Sequence, residues 1–223
     1  MTNIFRPKIQ YIWRRTLDLL FPHKCAACGT AGTAFCDACI SKSSPAPATT
    51  PHIIALFSYR DTRIRKALWS FKYKRNRALA AVLAKLLYDY FLEEYAESKI
   101  FSDAKVVLIP IPITKQRKKE RGFNQSELLV QEMSFIDAPM SFNHVLDVLY
   151  RMREAPPQAT IKNRAERIKN IKNIFAVRNA HKIIGRSIIV IDDITTTGAT
   201  LEEARKVLLA AGAKEVRAIA IAH

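Results

Sequence analysis

The sequence predicts an α/β fold built around a parallel sheet. Short, nearly continuous apolar runs, typical of strands buried on both faces, alternate along the chain with segments of helical periodicity. Because hairpin signals are missing between these runs, we expect each strand to return through a crossover and to pair in parallel. The 223 residues, 49% hydrophobic and 25% charged, fit one medium globular domain with a small appendage.

Five segments are predicted to form strands. They are IIALFSY (53–59), KVVLIPIPI (105–113), VLDVLYRM (145–152), SIIVIDD (187–193) and VRAIAIA (216–222). Helical periodicity predicts helices at 62–74, 77–95, 123–134 and 198–211. Residues 153–173 are rich in Lys, Arg and Asn and are predicted to form a long polar stretch without regular structure.

The first 52 residues divide into three predicted segments. Residues 1–20 are predicted to contain an amphipathic helix, expected to pack on the protein, with a membrane surface as the alternative. Residues 21–44 hold all four cysteines, and the Ser/Pro/Thr-rich residues 45–52 are predicted to link them to a domain over 53–223. We expect no secretory signal and no transmembrane span, since no apolar run reaches ~20 residues. The expected location is therefore cytoplasmic.

The cysteines form two C-x-x-C pairs, Cys25/Cys28 and Cys36/Cys39. Two such pairs can complete a tetrahedral S₄ site, which suits Zn²⁺. Because four thiolates leave no open coordination position, we expect the metal to be structural. An iron–sulfur cluster, a redox dithiol pair, or a zinc site with His23 replacing one cysteine are the alternatives.

An acidic–threonine loop, residues 192–200, follows the apolar strand at 187–193. Backbone N–H groups at a helix N-terminus, together with threonine hydroxyls, suit a phosphate. The acids Asp192 and Asp193 would repel that phosphate, but they suit the vicinal hydroxyls of a sugar, directly or through Mg²⁺. Helix capping would explain one acid and one threonine, but not the whole set. A phosphate beside sugar hydroxyls describes a ribose 5-phosphate.

The net charge of +16 is concentrated in segments near this loop. Residues 60–77, 105–121 and 151–186 hold most of the excess, which favours a phosphorylated or polyanionic partner. The basic run at 115–121 follows a strand end and can neutralise pyrophosphate or contact nucleic acid, with a solvated basic loop as the alternative. In the first segment, Trp69 and Phe71 are expected in the core; exposed aromatics there would instead suit stacking on single strands.

The stretch 188–201 resembles the signature of the type I phosphoribosyltransferases, which bind 5-phosphoribosyl 1-pyrophosphate (PRPP). The resemblance implies a Rossmann-like parallel sheet over 53–223 and catalytic roles for Asp192 and Asp193 at the ribose hydroxyls. It implies a 5-phosphate cradle formed by Thr196, Thr197, Gly198, Ala199 and Thr200. It also implies a pyrophosphate loop, assigned to Pro110, Ile111, Pro112 and Arg121, and Mg²⁺ bound with PRPP.

The double-cysteine segment, the P-x-P followed by RGFNQ, and the PRPP motif together resemble the ComF family of competence proteins (ComFC-like) over nearly the whole chain. Lys72, Arg65 and a flexible hood over 151–175 fit the same pattern. The resemblance implies a part in natural transformation, in which the protein handles incoming single-stranded DNA and contacts the inner face of the membrane or the DNA-uptake machinery.

Two functions stay open on the sequence alone. One is a PRPP-dependent phosphoribosyltransferase whose acceptor is unknown, because no segment suggests a nucleobase pocket. The other is a non-catalytic module that binds single-stranded nucleic acid and uses PRPP only as a regulatory ligand. A purely structural adaptor at the membrane is a weaker third, since an adaptor has no need of an intact acidic–threonine loop.

Overall fold

The computed structural model describes residues 23–74, 76–95, 106–137, 142–152 and 173–223. The predicted amphipathic helix within 1–20 and most of the predicted hood, residues 153–172, lie outside the described residues. None of the described helices is both long and apolar enough to cross a bilayer.

The described part of the chain contains seven strands and six α-helices. The strands are β1 (Ile53–Phe57), β2 (Val106–Pro110), β3 (Phe142–His144), β4 (Leu149–Arg151), β5 (Phe175–Val177), β6 (Ser187–Ile194) and β7 (Glu215–Ala222). The helices are α1 (Asp37–Ser41), α2 (Thr62–Tyr73), α3 (Ala78–Tyr95), α4 (Lys115–Arg121), α5 (Gln125–Ile136) and α6 (Ala199–Ala210). A short 3₁₀ helix spans Ala180–Lys182.

A five-stranded sheet in the order β1-β7-β6-β2-β3 forms the centre of the fold, and every neighbouring pair in it is parallel. This confirms the predicted Rossmann-like α/β architecture. The crossovers carry the helices to both faces of the sheet, as parallel connections require.

Both faces of the sheet are buried, which explains why its strands are continuous apolar runs. Leu108 and Ile191 point into one core, which they share with α2, α3 and α5. Val107 and Val190 point into the other core, under α6 and the small β4–β5 pair. Because successive side chains of a strand face opposite ways, a strand covered on both faces has no polar alternation.

The prediction of one sheet strand over 145–152 was wrong. β3 ends at His144, and β4 begins only at Leu149 and pairs antiparallel with β5, outside the main sheet. The chain turns around Asp147, whose carbonyl accepts a hydrogen bond from Arg178 Nε at 3.0 Å and whose carboxylate binds Lys182. These partners come from a distant part of the sequence, so local periodicity could not reveal the turn.

The basic run after β2 forms the short helix α4 (Lys115–Arg121), which was not among the helices predicted from the sequence. Thr114 caps its first turn by accepting a hydrogen bond from the Arg117 amide at 3.1 Å. Gly122 ends it in the left-handed region, with φ of 82°. These two residues place the α4 cations at a fixed position beside the sheet.

The cysteine segment and the residues after it pack on the main sheet domain. Phe35, only 1% exposed, shares a core with Ile64 and Leu68 of α2. Ser44–Ala46, at the start of the segment predicted as a linker, run antiparallel to the free edge of β1: the Ala46 amide donates to the Leu56 carbonyl at 3.1 Å.

Candidate functional site

The loops that follow β2 and β6 meet at the carboxyl edge of the sheet. The Ile111 amide donates to the Ile191 carbonyl at 3.0 Å, so these two loops leave the sheet side by side. From this edge α5 covers one face of the sheet and α6 covers the other. In open α/β sheets, ligands bind in the crevice created where the connections diverge in this way.

The adjacent acids at the end of β6 are each held by a different helix. Asp193 is 6% exposed, and its Oδ2 lies 2.9 Å from Lys72 Nζ, which reaches it from α2. Ser126, at the start of α5, donates from Oγ to Asp192 Oδ1 at 3.0 Å. The Asp193 amide donates to the same oxygen at 2.8 Å. The two carboxylates therefore have fixed orientations.

Asp192 is partly buried next to a second negative charge. Burial raises the pKa of its carboxyl, and the charge of Asp193 raises it further. Lys72, the Asp193 amide and Ser126 act in the opposite direction, and the resulting pKa is about 7. The acid pair therefore retains a proton to higher pH than an ordinary aspartate does, and a ligand that requires two ionised carboxylates must displace that proton where it is bound.

The threonines follow the acids in a turn that is anchored to the sheet. The amide of the buried Thr195 donates to the Ala222 carbonyl at 2.9 Å. Gly198 precedes α6 with φ of 76°, and a Cβ there would lie 2.9 Å from Ile53 Cδ1, so only glycine fits without movement. The Ala199 amide contacts Thr197 Oγ1 at 3.4 Å. The threonine turn thus lies between the acid pair and the first turn of α6.

The loop after β2 is fixed by the residues that begin α5. Asn124 caps this helix and also donates from Nδ2 to the Ile111 carbonyl at 2.9 Å. Gln125 is 1% exposed and accepts from Arg121 Nη1 at 3.1 Å. Its own Nε2 is buried and has no hydrogen-bond acceptor within the part of the chain that the structure describes. The start of α5 is thus tied to the loop after β2 through Asn124 and to Arg121 through Gln125.

The structure places most of the sequence-predicted residues at one edge, but it adds contacts that the sequence did not reveal. Ser126 was not predicted to touch Asp192, and Lys72 was singled out only through family resemblance. The available signal was the motif FNQS, in which an asparagine N-cap brings a serine to the base of a helix. The partner of that serine lies 66 residues away.

The four cysteines form a separate cluster, and all four Sγ atoms lie within 4.8 Å of one another. Cys28 Sγ and Cys36 Sγ are 3.6 Å apart, close to the roughly 3.8 Å expected between thiolates on one tetrahedral metal. A hydrogen bond from Thr30, at 3.2 Å, lowers the pKa of the Cys28 thiol to about 6. The cluster therefore fits a metal ion, with His23 outside the set.

The phosphoribosyl transferase domain family matches residues 72–223, which is more than half of the chain. The chain therefore belongs to that family. Within it the chain is ComFC-like: it is 32% identical to competence protein ComFC of Bacillus subtilis over 160 residues. That match covers 71% of this chain, but only 58% of the length of the relative.

Two further proteins extend the comparison. The DNA utilization protein YhgH of Escherichia coli O157:H7 is 27% identical over 196 residues, covering 86% of this chain and 81% of the relative. Among solved structures, the allosteric regulatory enzyme of purine biosynthesis aligns with 69% of this chain and 30% of its own, at 16% identity and a TM-score of 0.41. Because that score is low, we assign the fold from the order and direction of the strands in the sheet and not from this similarity. The relatives ComFC and YhgH are named for competence and for DNA utilization, respectively.

Proposed function

We propose that this protein binds PRPP at the carboxyl edge of its sheet and acts in DNA uptake by handling incoming single-stranded DNA. The observation that carries the proposal is the acid pair, fixed by Lys72 and Ser126, directly before a threonine-rich turn and a helix N-terminus. The names of the relatives support the role in DNA uptake. The proposed location for this role is the cytoplasm. The protein would contact the membrane surface or the DNA-uptake machinery peripherally.

Each part of PRPP would meet a group of suitable charge. Asp192 and Asp193 would accept hydrogen bonds from the ribose hydroxyls. Residues 196–200 would bind the 5-phosphate through hydroxyls and amides at the start of α6. The loop of residues 110–112, with Arg121, would hold the pyrophosphate. Mg²⁺ bound with PRPP would neutralise the pyrophosphate, and Asp192 and Asp193 are the carboxylates suited to hold it.

The proposed reaction is displacement of pyrophosphate from C1 of the ribose. The C1–O bond breaks, its electron pair leaves with the pyrophosphate, and the acceptor forms a new bond to C1. Positive charge develops on the ribose, where the carboxylates of Asp192 and Asp193 stabilise it. The guanidinium of Arg121 stabilises the negative charge of the leaving group.

We propose that the cysteine cluster holds Zn²⁺ as a structural ion. Four thiolates at tetrahedral spacing are the ligand set that zinc prefers, and they leave no position for a substrate. The cysteine segment is too short to form a core of its own, so the metal would fix the surface by which Phe35 packs on α2.

Calorimetric titration of Mg²⁺–PRPP tests the site. Wild type is expected to bind, whereas Asp192→Asn/Asp193→Asn is expected not to, because the variant keeps the shape of the strand but lacks the charges. The control is Asp89→Asn, which removes an exposed carboxylate whose ion-pair partner among the described residues is Lys85 on α3. Absence of binding by wild type, or equal binding by the double variant, would contradict the proposal.

Release of pyrophosphate from PRPP separates the enzyme from the regulatory alternative. Turnover in the presence of single-stranded DNA or nucleotides, lost in the double variant, is expected of an enzyme. Tight binding of PRPP without release of pyrophosphate under any of these conditions would identify PRPP as a regulatory ligand of a nucleic-acid-binding module.

A further inference from the structure

Two large aromatic rings of α2 face solvent beside the candidate site. Trp69 is 51% exposed and Tyr73 is 61% exposed, and their ring centroids lie 5.9 Å apart. Phe71, between them in sequence, is fully buried. The expectation that Phe71 belongs to the core is thus confirmed, whereas the same expectation for Trp69 was wrong. Exposing two adjacent rings forfeits the free energy of burying them, so their placement calls for a reason other than folding.

Cations lie over both rings. Lys74 Nζ is 5.3 Å from the centroid of Trp69, and Arg121 Cζ is 5.6 Å from that of Tyr73. Among the described residues, neither Lys74 nor Arg121 has a carboxylate partner within ion-pair distance. We call Trp69, Tyr73, Lys74 and Arg121 the aromatic–cation surface. It presents flat rings and uncompensated positive charge together.

The chemistry of this surface indicates what it would bind. Single-stranded nucleic acids expose base faces, which stack on aromatic rings, and phosphates, which contact Lys and Arg. Duplex DNA hides its base faces, so it could use only the charges. An apolar protein partner would favour exposed rings without cations, such as Phe135, which is 68% exposed and has no cation over its ring among the residues that the structure describes.

The surface adjoins the candidate site through shared elements. Arg121, whose guanidinium lies over Tyr73, also donates to Gln125 beside the loop after β2. Lys72, three residues after Trp69 and therefore on a neighbouring part of the α2 surface, forms the ion pair with Asp193. A strand on the rings would therefore lie alongside the crevice, whereas the cysteine cluster belongs to a different segment of the chain.

We propose that the aromatic–cation surface binds single-stranded nucleic acid, with bases stacked on Trp69 and Tyr73 and phosphates held by Lys74 and Arg121. This inference rests on the proposed function and deepens it, because it names the surface that would handle the strand. It assigns the principal contact to α2 and not to the cysteine cluster.

Tryptophan fluorescence tests stacking directly. The chain has two tryptophans, so a Trp13→Phe background leaves Trp69 as the only one. A short oligo-dT is expected to quench this emission, whereas an abasic oligomer of equal length and charge is expected to leave it nearly unchanged. Equal quenching by both oligomers, or none by either, would overturn the proposal.

Affinity measurements identify the residues involved. Trp69→Ala/Tyr73→Ala is expected to weaken oligo-dT binding by about tenfold or more, because it removes both rings on which bases would stack. The matched control is Phe135→Ala, which removes an exposed aromatic ring from α5 and should leave affinity unchanged. An equal loss in the control, or no loss in the double variant, would contradict the assignment.

Calorimetry with Mg²⁺–PRPP keeps the two proposals separate. The Trp69→Ala single variant should bind PRPP as wild type does, because the contacts of this ring, Tyr73 and Lys74, are not among the residues assigned to PRPP. Quenching of Trp69 by oligo-dT in a protein that fails to bind PRPP would support the surface and refute the PRPP site. Binding of PRPP without quenching would refute the surface alone.

Discussion

Lys72 is the one cation that contacts the acid pair among the described residues. Two adjacent carboxylates at the end of a buried strand repel each other, and the ammonium group 2.9 Å from Asp193 compensates one of them. The side chain of Lys72 is 14% exposed and that of Asp193 is 9% exposed, so water screens this ion pair little. Removing one partner of this pair should therefore cost more folding free energy than breaking a surface ion pair of the same length.

Substitution of Lys72 by Met should destabilise the protein by about 3–5 kcal/mol near pH 8, because it leaves a buried carboxylate without its partner. Lys85→Met breaks the exposed pair with Asp89 and should cost less than about 1 kcal/mol. Urea denaturation of both variants gives the comparison. Similar losses of unfolding free energy in the two variants would show that the buried Lys72–Asp193 pair matters no more for stability than the exposed Lys85–Asp89 pair.

Asp192 should make stability depend on pH in a direction unusual for an aspartate. Its pKa is about 7 in the folded protein and about 3.9 in an unfolded chain. Between these values the folded state binds the extra proton, so this group's contribution to stability decreases as pH rises from about 4 to about 7. In the Asp192→Asn variant residue 192 does not titrate, so this part of the pH dependence of stability is lost.

We therefore expect the free energy of unfolding of Asp192→Asn, relative to wild type, to be higher at pH 8 than at pH 5.5. Chemical denaturation at the two pH values measures the difference. Asp89→Asn serves as the control and should show no such change. A relative stability that is constant, or that falls with pH, would show that Asp192 is ionised throughout.

Among the strands and helices, those fixed by neighbouring residues in the sequence were predicted most accurately. β6 and α6 were predicted to within a residue, since a buried run, a glycine turn and a helical stripe are contiguous in sequence. The turn that interrupts the strand predicted at 145–152 was not foreseen, because it is held by Arg178 and Lys182, which are distant in sequence. In the candidate site, the acids and threonines are one motif, whereas Lys72 and Ser126 arrive from other helices.

The cysteine segment is an element whose order should depend on metal. One metal ion per chain is expected by elemental analysis, and zinc rather than iron would fit the proposal. A strong chelator should lower the melting temperature by several degrees, because losing the ion frees the segment that positions Phe35 against α2.

Cys25→Ser provides the matched variant for this experiment, since it removes one thiolate from the cluster. It should melt at a lower temperature than wild type and should respond little to the chelator. A wild type that carries no metal, or that melts at the same temperature with and without chelator, would contradict the structural role.

At the scale of the whole molecule, α2 joins three parts of the protein. Its buried face packs against Phe35 of the cysteine segment, Lys72 reaches the acid pair, and its exposed face carries the aromatic rings. The sequence indicated that the basic segments would lie near the ligand loops, but not which side of this helix each residue would occupy. That depends on packing against α3 and the sheet, which no single segment encodes.

The segment Ser44–Ala46 also bears on solubility. A parallel sheet ends in strands with unpaired backbone groups, which can recruit strands from other molecules and start aggregation. Here one edge of the sheet, β1, is covered by Pro45 and its neighbours, which lie along it. Proline offers no N–H to an incoming strand. The opposite margin, β3, is only three residues long. Deleting residues 44–46 would therefore expose the backbone groups along the outer edge of β1 and favour self-association.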